Sequence, residues 1–485
     1  MPQTKSVFHG ALLTVAMRWS DRLIGLISLM VLARLLVPAD FGIVAMASLV
    51  VGLFDVLLDL GVNIALIQNK KADHEDFDTA WTLRLVQASM AGILIFITAP
   101  LAAEYFNNAN VADVLRVVAI SVMIGGLENI GIVTFQKNME FGRDFKFFFY
   151  KRVSGFLITV TAAFLLHSYW AMVLGTLSGR IAGVFLSYGM HTHRPHFTFS
   201  RLRHLWSFSQ WVLVRNIGAY FDSRTDKLLV GHRSDAALTG AYTVADEIAA
   251  MPTTELLAPL GRVLFPAFVK RRDDPEEFSR TVSLAIGVQS LVAIPACVGL
   301  ILVANDAVTV LLGEKWLPAA PLIQIMATTN LLLALTHSGG YALLAMGKIR
   351  MLAFVIWLQA GLFFLTAIFL VPESGATGLA TIRLTVVTIG SLVSIWIVLH
   401  QIKALKTSAF LLPLIRPALA AIVMSITLYN LHFLFFDMVP FLRLICEIGI
   451  GGIVYSTSIG AMWVLAGRKE GAEAYLLKNF IRHRQ

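Results

Sequence analysis

Charged residues interrupt two long apolar segments of this sequence. The first segment, residues 10–36, contains Arg18, Asp21 and Arg22. The second begins near residue 207 and contains five charges, at Arg215, Asp222, Arg224, Asp226 and Lys227. A charge at the centre of a bilayer costs about 2.5–3.5 kcal/mol on an insertion scale, so such residues usually face a bundle interior or a water-filled cavity. Guanidinium groups there could bind an anion, and carboxylates could bind a proton or a cation.

The arginines of the first segment are spaced to act together. Arg18 and Arg22 are four residues apart and share one face of a helix, with Asp21 beside them. They could line a cavity that binds an anionic ligand, or they could form a structural ion triad between helices. We favour the cavity, because one acid cannot neutralise two arginines at that depth.

In the second segment, Arg215, Asp222 and Asp226 fall within about 40° of one another around the helix axis. Arg224 is a further cationic candidate, although Arg224 and Lys227 project elsewhere. Lys227 lies near the outer end of the span and is expected to extend to the lipid headgroups. Arg215 is the better candidate ligand, and Asp222 and Asp226 are its partners or a proton or cation site.

Other charges within apolar segments give weaker signals. Asp55 and Asp59 are four residues apart and could form a paired-carboxylate site for Na⁺ or H⁺, with Asp21 as a further ion-coupling candidate. The equal alternative is that Asp59 only pairs with an arginine of a neighbouring helix. Isolated charges also occur within other spans, at Arg84, Glu128, Arg180 and Arg383.

The composition excludes a soluble enzyme and predicts an all-α polytopic membrane protein. Of the 485 residues, 57% are hydrophobic and 14% are charged, and the mean hydropathy is +0.75. Apolar segments of about 20 residues, enough to span a bilayer, recur along the whole chain. They predict about fourteen transmembrane helices, beginning near residues 10, 41, 79, 111, 147, 169, 207, 236, 278, 317, 349, 376, 409 and 441.

The distribution of basic residues predicts the orientation and argues against nucleic acid as a partner. The net charge of +9 is spread over short loops between spans. Cytoplasmic N- and C-termini would place nearly all of these basic residues inside and leave little outside beyond Lys315 and Arg233. The sequence thus predicts a multi-pass protein whose termini are both cytoplasmic.

An internal repeat appears when the chain is offset by 198 residues. Ala33 and Arg34 then fall on Gly231 and His232, Gly42 falls on Gly240, and Arg18 lies one residue from Arg215. Parallel repeats of six helices are a common transporter plan, with the substrate site at their interface. We therefore predict two pseudo-symmetric six-helix bundles, residues 1–206 and 207–406, followed by two extra helices and a basic cytoplasmic tail, residues 407–485.

Motifs for other chemistries are missing from the sequence. There is no Walker phosphate-binding loop, no zinc-protease HExxH and no Gly-x-Ser-x-Gly nucleophile elbow. The two cysteines, Cys297 and Cys446, both lie in apolar segments and offer neither a disulfide framework nor a metal site. The sequence therefore predicts neither catalytic residues nor a bound metal or cofactor.

Three segments resemble a known family of transporters. Residues 32–42 (LARLLVPADFG), residues 135–141 (FQKNMEF), and Gly240-Ala241-Tyr242 followed by Val-Leu-Phe-Pro at 263–266 are similar to the polysaccharide transporter family of Wzx and WzxC type. That family belongs to the superfamily of multidrug, oligosaccharidyl-lipid and polysaccharide exporters. The resemblance extends over essentially the whole chain, but its motifs do not distinguish one sugar substrate from another.

The resemblance implies a flippase in the bacterial inner membrane. Its substrate would be an undecaprenyl-diphosphate-linked oligosaccharide for exopolysaccharide, capsule or lipopolysaccharide, moved by alternating access with H⁺ or Na⁺ as the driver. It also implies a V-shaped cavity between two halves, for which Arg18, Arg22 and Arg215 are the best basic positions in this chain. Implied partners are membrane lipids, a glycan polymerase and chain-length machinery. The alternatives are a cation-coupled small-molecule antiporter of the same superfamily and a membrane glycan polymerase or ligase.

Overall fold

The computed structural model of the chain consists of long helices joined by short connections. It describes residues 2–58, 66–67, 73–201, 217–218, 220–221, 223–371, 373, 375–435, 437–467 and 471–475. Helices dominate this part of the chain, and it contains no β-strand. The prediction of an all-α fold is confirmed.

The chain divides into two compact units, Met1–Gly240 and Ala241–Gln485. The bundle boundary that we predicted, at residues 206 and 207, lies outside the described residues. The helices of the first unit are α1 (Pro2–Leu35), α2 (Pro38–Leu58), α3 (His74–Tyr105), α4 (Asn110–Gly126), α5 (Val133–Lys137), α6 (Phe141–Leu166) and α7 (Trp170–Met190). A 3₁₀ turn, Ile130–Ile132, precedes α5, and residues 223–233 are also helical.

The described residues of the second unit form nine helices. Its helices are α8 (Ala236–Leu256, which begins in the first unit), α9 (Ala258–Arg271), α10 (Pro275–Leu302), α11 (Ala304–Leu311), α12 (Ala319–Ala345), α13 (Ile349–Leu365), α14 (Ala376–Gln401), α15 (Thr407–Phe435) and α16 (Pro440–Leu465). A 3₁₀ turn, Glu314–Trp316, precedes α12, and a π-helical segment, Thr366–Leu370, extends α13.

Ten helices among the described residues are long and apolar enough to cross a membrane. An eleventh span is possible if α4 and the segment Ile130–Lys137, which meet at a bend of 65°, form one broken span. A polytopic membrane protein is therefore confirmed, whereas the exact number of fourteen spans is not.

In the first unit, α6 packs along α7, α3 packs along α4, and α1 packs on α6. A core of small and branched apolar residues joins α2, α3 and α4, with Met46, Ile95 and Leu115 fully buried. Such close-packed cores hold neighbouring helices in fixed register. The charged residues described below therefore project from a rigid set of helices.

Two glycines permit a very close helix contact in the first unit. A Cβ at Gly42 would lie 1.8 Å from the carbonyl oxygen of Ala236, and a Cβ at Gly240 would lie 2.0 Å from the carbonyl oxygen of Pro38. The two contacts correspond to each other under the 198-residue offset, because Pro38 and Ala236 are also 198 residues apart. The glycines aligned by the repeat thus meet at one crossing of α2 and α8.

In the second unit, α12 packs between α10 and α14, and α15 packs between α10 and α16. The two helices that we predicted as additions to the six-helix repeat, α15 and α16, are therefore part of this unit. An ion pair joins α11 to the start of α16, where Arg443 Nε donates to Asp306 Oδ2 at 2.7 Å. The side chains of Arg443 and Asp306 are only 17% and 7% exposed.

Candidate functional site

A buried carboxylate, Glu128, lies where the chain bends between α4 and α5. Glu128 is only 3% exposed. Lys151 of α6 donates from Nζ to Glu128 Oε2 at 2.6 Å, and Nη2 of Arg84 on α3 lies 3.6 Å from the same oxygen. A buried charge is tolerated when it is paired and hydrogen-bonded. Glu128 therefore draws basic side chains from two other helices into the interior of the first unit.

Asn129 fixes the bend that presents Glu128. Its Oδ1 accepts from the backbone N–H of Gly131, which caps the 3₁₀ turn. Its backbone N–H donates to Ser187 Oγ at 2.9 Å, and its Nδ2 donates to the carbonyl oxygen of His193 at 2.7 Å. Asparagine is favoured at such caps because its short side chain bonds to the nearby backbone. The bend is thus tied to α7 and to the segment after it.

A cavity of about 600 Å³ opens between α1, α6 and α7, and we call it the basic cavity. Its charged lining consists of four cations and one acid, namely Arg18, Lys151, Arg152, Arg180 and Asp21. Arg152 Nε lies 3.0 Å from Asp21 Oδ1. The described lining residues thus carry a net charge of +3, and Lys151 is also paired with Glu128 at 2.6 Å. Phe145, Phe148, Phe149 and Phe156 supply an aromatic wall.

A smaller cavity of about 350 Å³ lies between α2, α3, α4 and α7. It is lined by Asp55, Arg84, Gln87 and Arg180 together with small residues of α4. Arg180 lines both cavities. This arginine is half-buried, and within the described ranges no carboxylate or hydrogen-bond acceptor pairs with its guanidinium group. Arg180 is therefore the side chain of this site best suited to bind an anion from outside the protein.

Glycines of neighbouring helices make room for these basic side chains. A Cβ at Gly125 would lie 2.6 Å from Arg180 Nη1, and a Cβ at Gly183 would lie 3.0 Å from Lys151 Nζ. The helices α6 and α7 also approach closely, since a Cβ at Gly155 would lie 3.1 Å from the carbonyl oxygen of Gly175. Small residues allow such close helix contacts in membranes.

The structure places the predicted site residues in different surroundings. Arg18 and Asp21 line the basic cavity, and Asp55 lines the smaller one. Arg22 is half-buried on α1 and is not among the residues that line either cavity. That these residues bind substrate or a coupling ion remains a prediction. Arg215, Asp59 and Asp222 lie outside the described residues.

Residues 223–233 do not contribute to the two described cavities. Arg224 is exposed, and Asp226 Oδ1 accepts from the backbone N–H of Lys227 at 2.9 Å. The prediction that Lys227 reaches the lipid headgroups is wrong, because the residue is only 8% exposed. Its position near the end of a predicted span suggested an interfacial side chain, but tertiary packing encloses it.

Lys151 and Arg152 are basic-cavity residues that the sequence analysis overlooked. They follow Arg143 and Lys146, whose charges indicated topology. Their depth was the available signal, because Lys151 lies ten residues into the 26-residue α6, or about 15 Å from its first residue. The sequence did mark Arg84, Glu128 and Arg180, but only as isolated charges.

The segment 191–201 packs against the end of the first unit. His193 Nε2 lies 3.1 Å from Asp78 Oδ1, and the backbone N–H of His196 donates to the same oxygen at 3.1 Å. Burial lowers the pKa of His193 below its ordinary value, against the opposing effect of the Asp78 carboxylate. Burial likewise lowers the pKa of His191, whose Nε2 lies 3.1 Å from Thr134 Oγ1.

The described residues contain no group of three or more His, Cys, Asp or Glu side chains that could hold a metal ion. Cys297 is buried and Cys446 is partly buried, and both are free thiols. The first unit offers fixed positive charges and a few carboxylates within helices long enough to span a membrane.

Comparison with solved structures relates the fold to known transporters. The inward closed conformation of the lipid II flippase MurJ superposes with a TM-score of 0.74 at 15% identity, covering 93% of this chain and 99% of MurJ. An inward-facing multidrug resistance transporter of the MATE family, from the MOP superfamily, gives a TM-score of 0.61 at 15% identity and covers 80% of this chain and 96% of its own. The chain therefore has the fold of these transporters.

Comparison of sequences identifies the family. The Escherichia coli K12 lipopolysaccharide biosynthesis protein WzxC is 24% identical over 403 residues, which is 81% of each chain. The Rhizobium meliloti succinoglycan biosynthesis transport protein ExoT is 25% identical over 450 residues, covering 88% of this chain and 87% of its own. A family model described as polysaccharide biosynthesis protein matches residues 31–321, more than half of the sequence. The chain belongs to this polysaccharide biosynthesis protein family.

Proposed function

We propose that this protein is a flippase for lipid-linked oligosaccharides. Its substrate would be an undecaprenyl-diphosphate-linked repeat unit that moves from the cytoplasmic to the periplasmic leaflet of a bacterial inner membrane. Family membership and the names of WzxC and ExoT support a role in polysaccharide export. The likeness to MurJ supports a fold suited to this task. The termini would be cytoplasmic, as the distribution of basic residues indicates.

The observation that carries the proposal is the charge of the basic cavity. A diphosphate headgroup is dianionic, and the lining has four cations against one acid. Arginine suits phosphate because its planar fork donates two parallel hydrogen bonds. Arg18 and Arg180 would bind the diphosphate, and Lys151 would add positive charge while held by Glu128. The aromatic wall beside them would contact the sugars or the first prenyl units.

The same lining argues against the alternative of a cation-coupled drug antiporter. A cavity that binds small cations requires an excess of carboxylates, whereas this one has an excess of basic side chains. A membrane glycan polymerase or ligase is also less consistent with the names and folds of the relatives. A polymerase and chain-length machinery would instead act on the unit after it has crossed.

Coupling to H⁺ is a further part of the proposal. Transport requires that the substrate be bound more weakly on the outward side than on the inward side. Asp55 lines the smaller cavity together with Arg84 and Arg180. A change in the protonation of Asp55 would change the net charge beside these arginines and would thereby couple substrate binding to H⁺. Asp55→Asn should therefore bind substrate but respond weakly to a proton gradient.

A complementation experiment tests the flippase proposal. In a host that lacks the chain, Arg180→Ala should reduce export about 10- to 100-fold, since a hydrogen bond to a charged group contributes about 1.5–3 kcal/mol. Lipid-linked repeat units should accumulate in the cytoplasmic leaflet. The matched control is Arg116→Ala, because Arg116 is an exposed arginine of α4 that pairs with Asp113 at 2.8 Å. Full export by Arg180→Ala, at normal abundance in the membrane, would overturn the assignment of the cavity.

A further inference from the structure

A cavity of the second unit is not used by the proposed function. Its volume is about 850 Å³, and it lies between the start of α10, the start of α15 and residues 471–475. This volume is within the range of pockets that hold small organic ligands. Its charged lining comprises Arg280, Lys403, Lys406, Arg416, Glu276 and Glu473. Four cations against two acids give the described part of the lining a net charge of +2.

One of the two acids is already neutralised by a neighbour. Arg416 Nη1 donates to Glu473 Oε1 at 3.0 Å, and the side chain of Glu473 is only 11% exposed. This pair ties residues 471–475 to α15 and forms one wall of the cavity. Lys403 and Lys406 are exposed at the connection between α14 and α15. Their ammonium groups are therefore accessible to an anion that enters the cavity.

The cavity changes from charged to apolar along α10. Arg280, Leu284, Gly287 and Leu291 line it at intervals of four, three and four residues, so they share one face of the helix. Arg280 and Leu291 are separated by about 16 Å along the helix axis. Leu412 and Pro413 continue the apolar part from α15. A ligand that fills this space has an anionic end and an apolar body.

We propose that this cavity binds an anionic phospholipid. The phosphate lies beside Lys403 and Lys406, and one acyl chain lies along Leu284 and Leu291. Basic pockets between transmembrane helices are suited to anionic headgroups, because each cation near the membrane surface attracts them. A free phosphate would meet the same cations but would leave the apolar length of the cavity unfilled. The lipid uses both parts of the lining.

Binding is measured on the purified full chain in a neutral detergent, by native mass spectrometry during titration with phosphatidylglycerol. The double variant Lys403→Gln, Lys406→Gln should weaken binding about 30-fold, or about fivefold for each lysine. The matched control, Lys270→Gln with Arg272→Gln, removes equal charge from exposed positions of the same unit that do not line the cavity. It should leave the affinity unchanged, and equal weakening by both double variants would overturn the proposal.

Three other ligands distinguish the source of the phosphate. Phosphatidylcholine should bind much more weakly than phosphatidylglycerol, because it lacks net negative charge. The deacylated headgroup glycerophosphoglycerol and inorganic phosphate should also bind weakly, because they cannot fill the apolar part. Binding of either soluble anion as tightly as the lipid would overturn the proposal. The proposal would also be overturned if a polyprenyl phosphate competed with phosphatidylglycerol at this cavity and bound more tightly.

Discussion

Replacing Glu128 by glutamine should destabilise the first unit much more than the same change at an exposed glutamate. Glu128 is buried and accepts a hydrogen bond from Lys151 at 2.6 Å, with Arg84 at 3.6 Å. The neutral amide would leave these two cations in the bundle without their counter-charge. Glu140 offers the matched control, because its carboxylate pairs with Arg143 at 2.9 Å at the start of α6.

The difference between the two sites is burial. Removing one partner of a buried ion pair costs about 3–5 kcal/mol. The side chains of Arg84 and Lys151 are 27% and 26% exposed, so partial solvation reduces the cost. We expect Glu128→Gln to lower the free energy of unfolding by about 2–3 kcal/mol, the upper part of the range for a hydrogen bond to a charged group. Glu140→Gln should cost between about 0 and 1 kcal/mol, as exposed pairs do.

The assay is unfolding of the purified protein in a mild detergent by addition of dodecyl sulfate, followed by the circular dichroism of the helices. A second variant, Glu128→Gln with Lys151→Met, removes the uncompensated lysine and should recover part of the loss, because apolar replacements of buried ion pairs are often neutral. Equal stabilities of Glu128→Gln and Glu140→Gln would refute the reasoning, since burial would then not determine the strength of the pair.

Three further predictions follow from other contacts. Gly42→Ala should prevent the close approach of α2 and α8 and strongly reduce folded protein in the membrane, whereas Gly189→Ala, which meets no atom within 4 Å, should be neutral or stabilising. Arg443→Gln should lower the free energy of unfolding by about 3 kcal/mol by leaving the acid of its ion pair buried. Acidification from about pH 7.5 to about pH 5.5 should release the segment 191–201 and speed trypsin cleavage after Arg201, measured relative to the cleavage of an unfolded peptide at each pH, and His193→Gln should respond less. The pKa of His193 is lowered while the segment is attached. The detached segment therefore binds protons more readily once the pH falls below the ordinary value of 6.5, and acidification favours detachment.

The pH response involves several charged groups around the two partly buried histidines, His191 and His193. Those facing them from the packed elements are His74, Asp78, Glu140, Arg143, Arg194 and His196. A rate of cleavage that is independent of pH in the wild-type protein would contradict the prediction. Unchanged folded abundance of Gly42→Ala, or unchanged stability of Arg443→Gln, would contradict the other two.

The helices were predictable from the sequence because their signals are local. Apolar length indicates a span, and a charge within it marks a position that needs a special environment. The glycine pair of the repeat was also visible, since Gly42 and Gly240 align without a gap. Their meeting at one helix crossing requires tertiary structure.

The assembly of the basic cavity could not be predicted, because it depends on contacts between distant residues. Arg180 lies over Gly125, and Lys151 reaches Glu128, across separations of 55 and 23 residues. No periodicity links such residues. The wrong prediction for Lys227 has the same cause. Its position near a helix end suggested an exposed side chain, whereas packing against other residues buries it.

Flipping by the purified protein in proteoliposomes tests the central proposal most directly. The vesicles contain a radiolabelled polyprenyl-diphosphate-linked oligosaccharide, and a membrane-impermeant glycosidase reports how much of it reaches the outer leaflet. Wild-type protein and Arg116→Ala should expose the substrate of the inner leaflet over time, and Arg180→Ala should do so about 10- to 100-fold more slowly. The account would be contradicted if the substrate were exposed no faster in vesicles with wild-type protein than in protein-free vesicles, with or without a proton gradient.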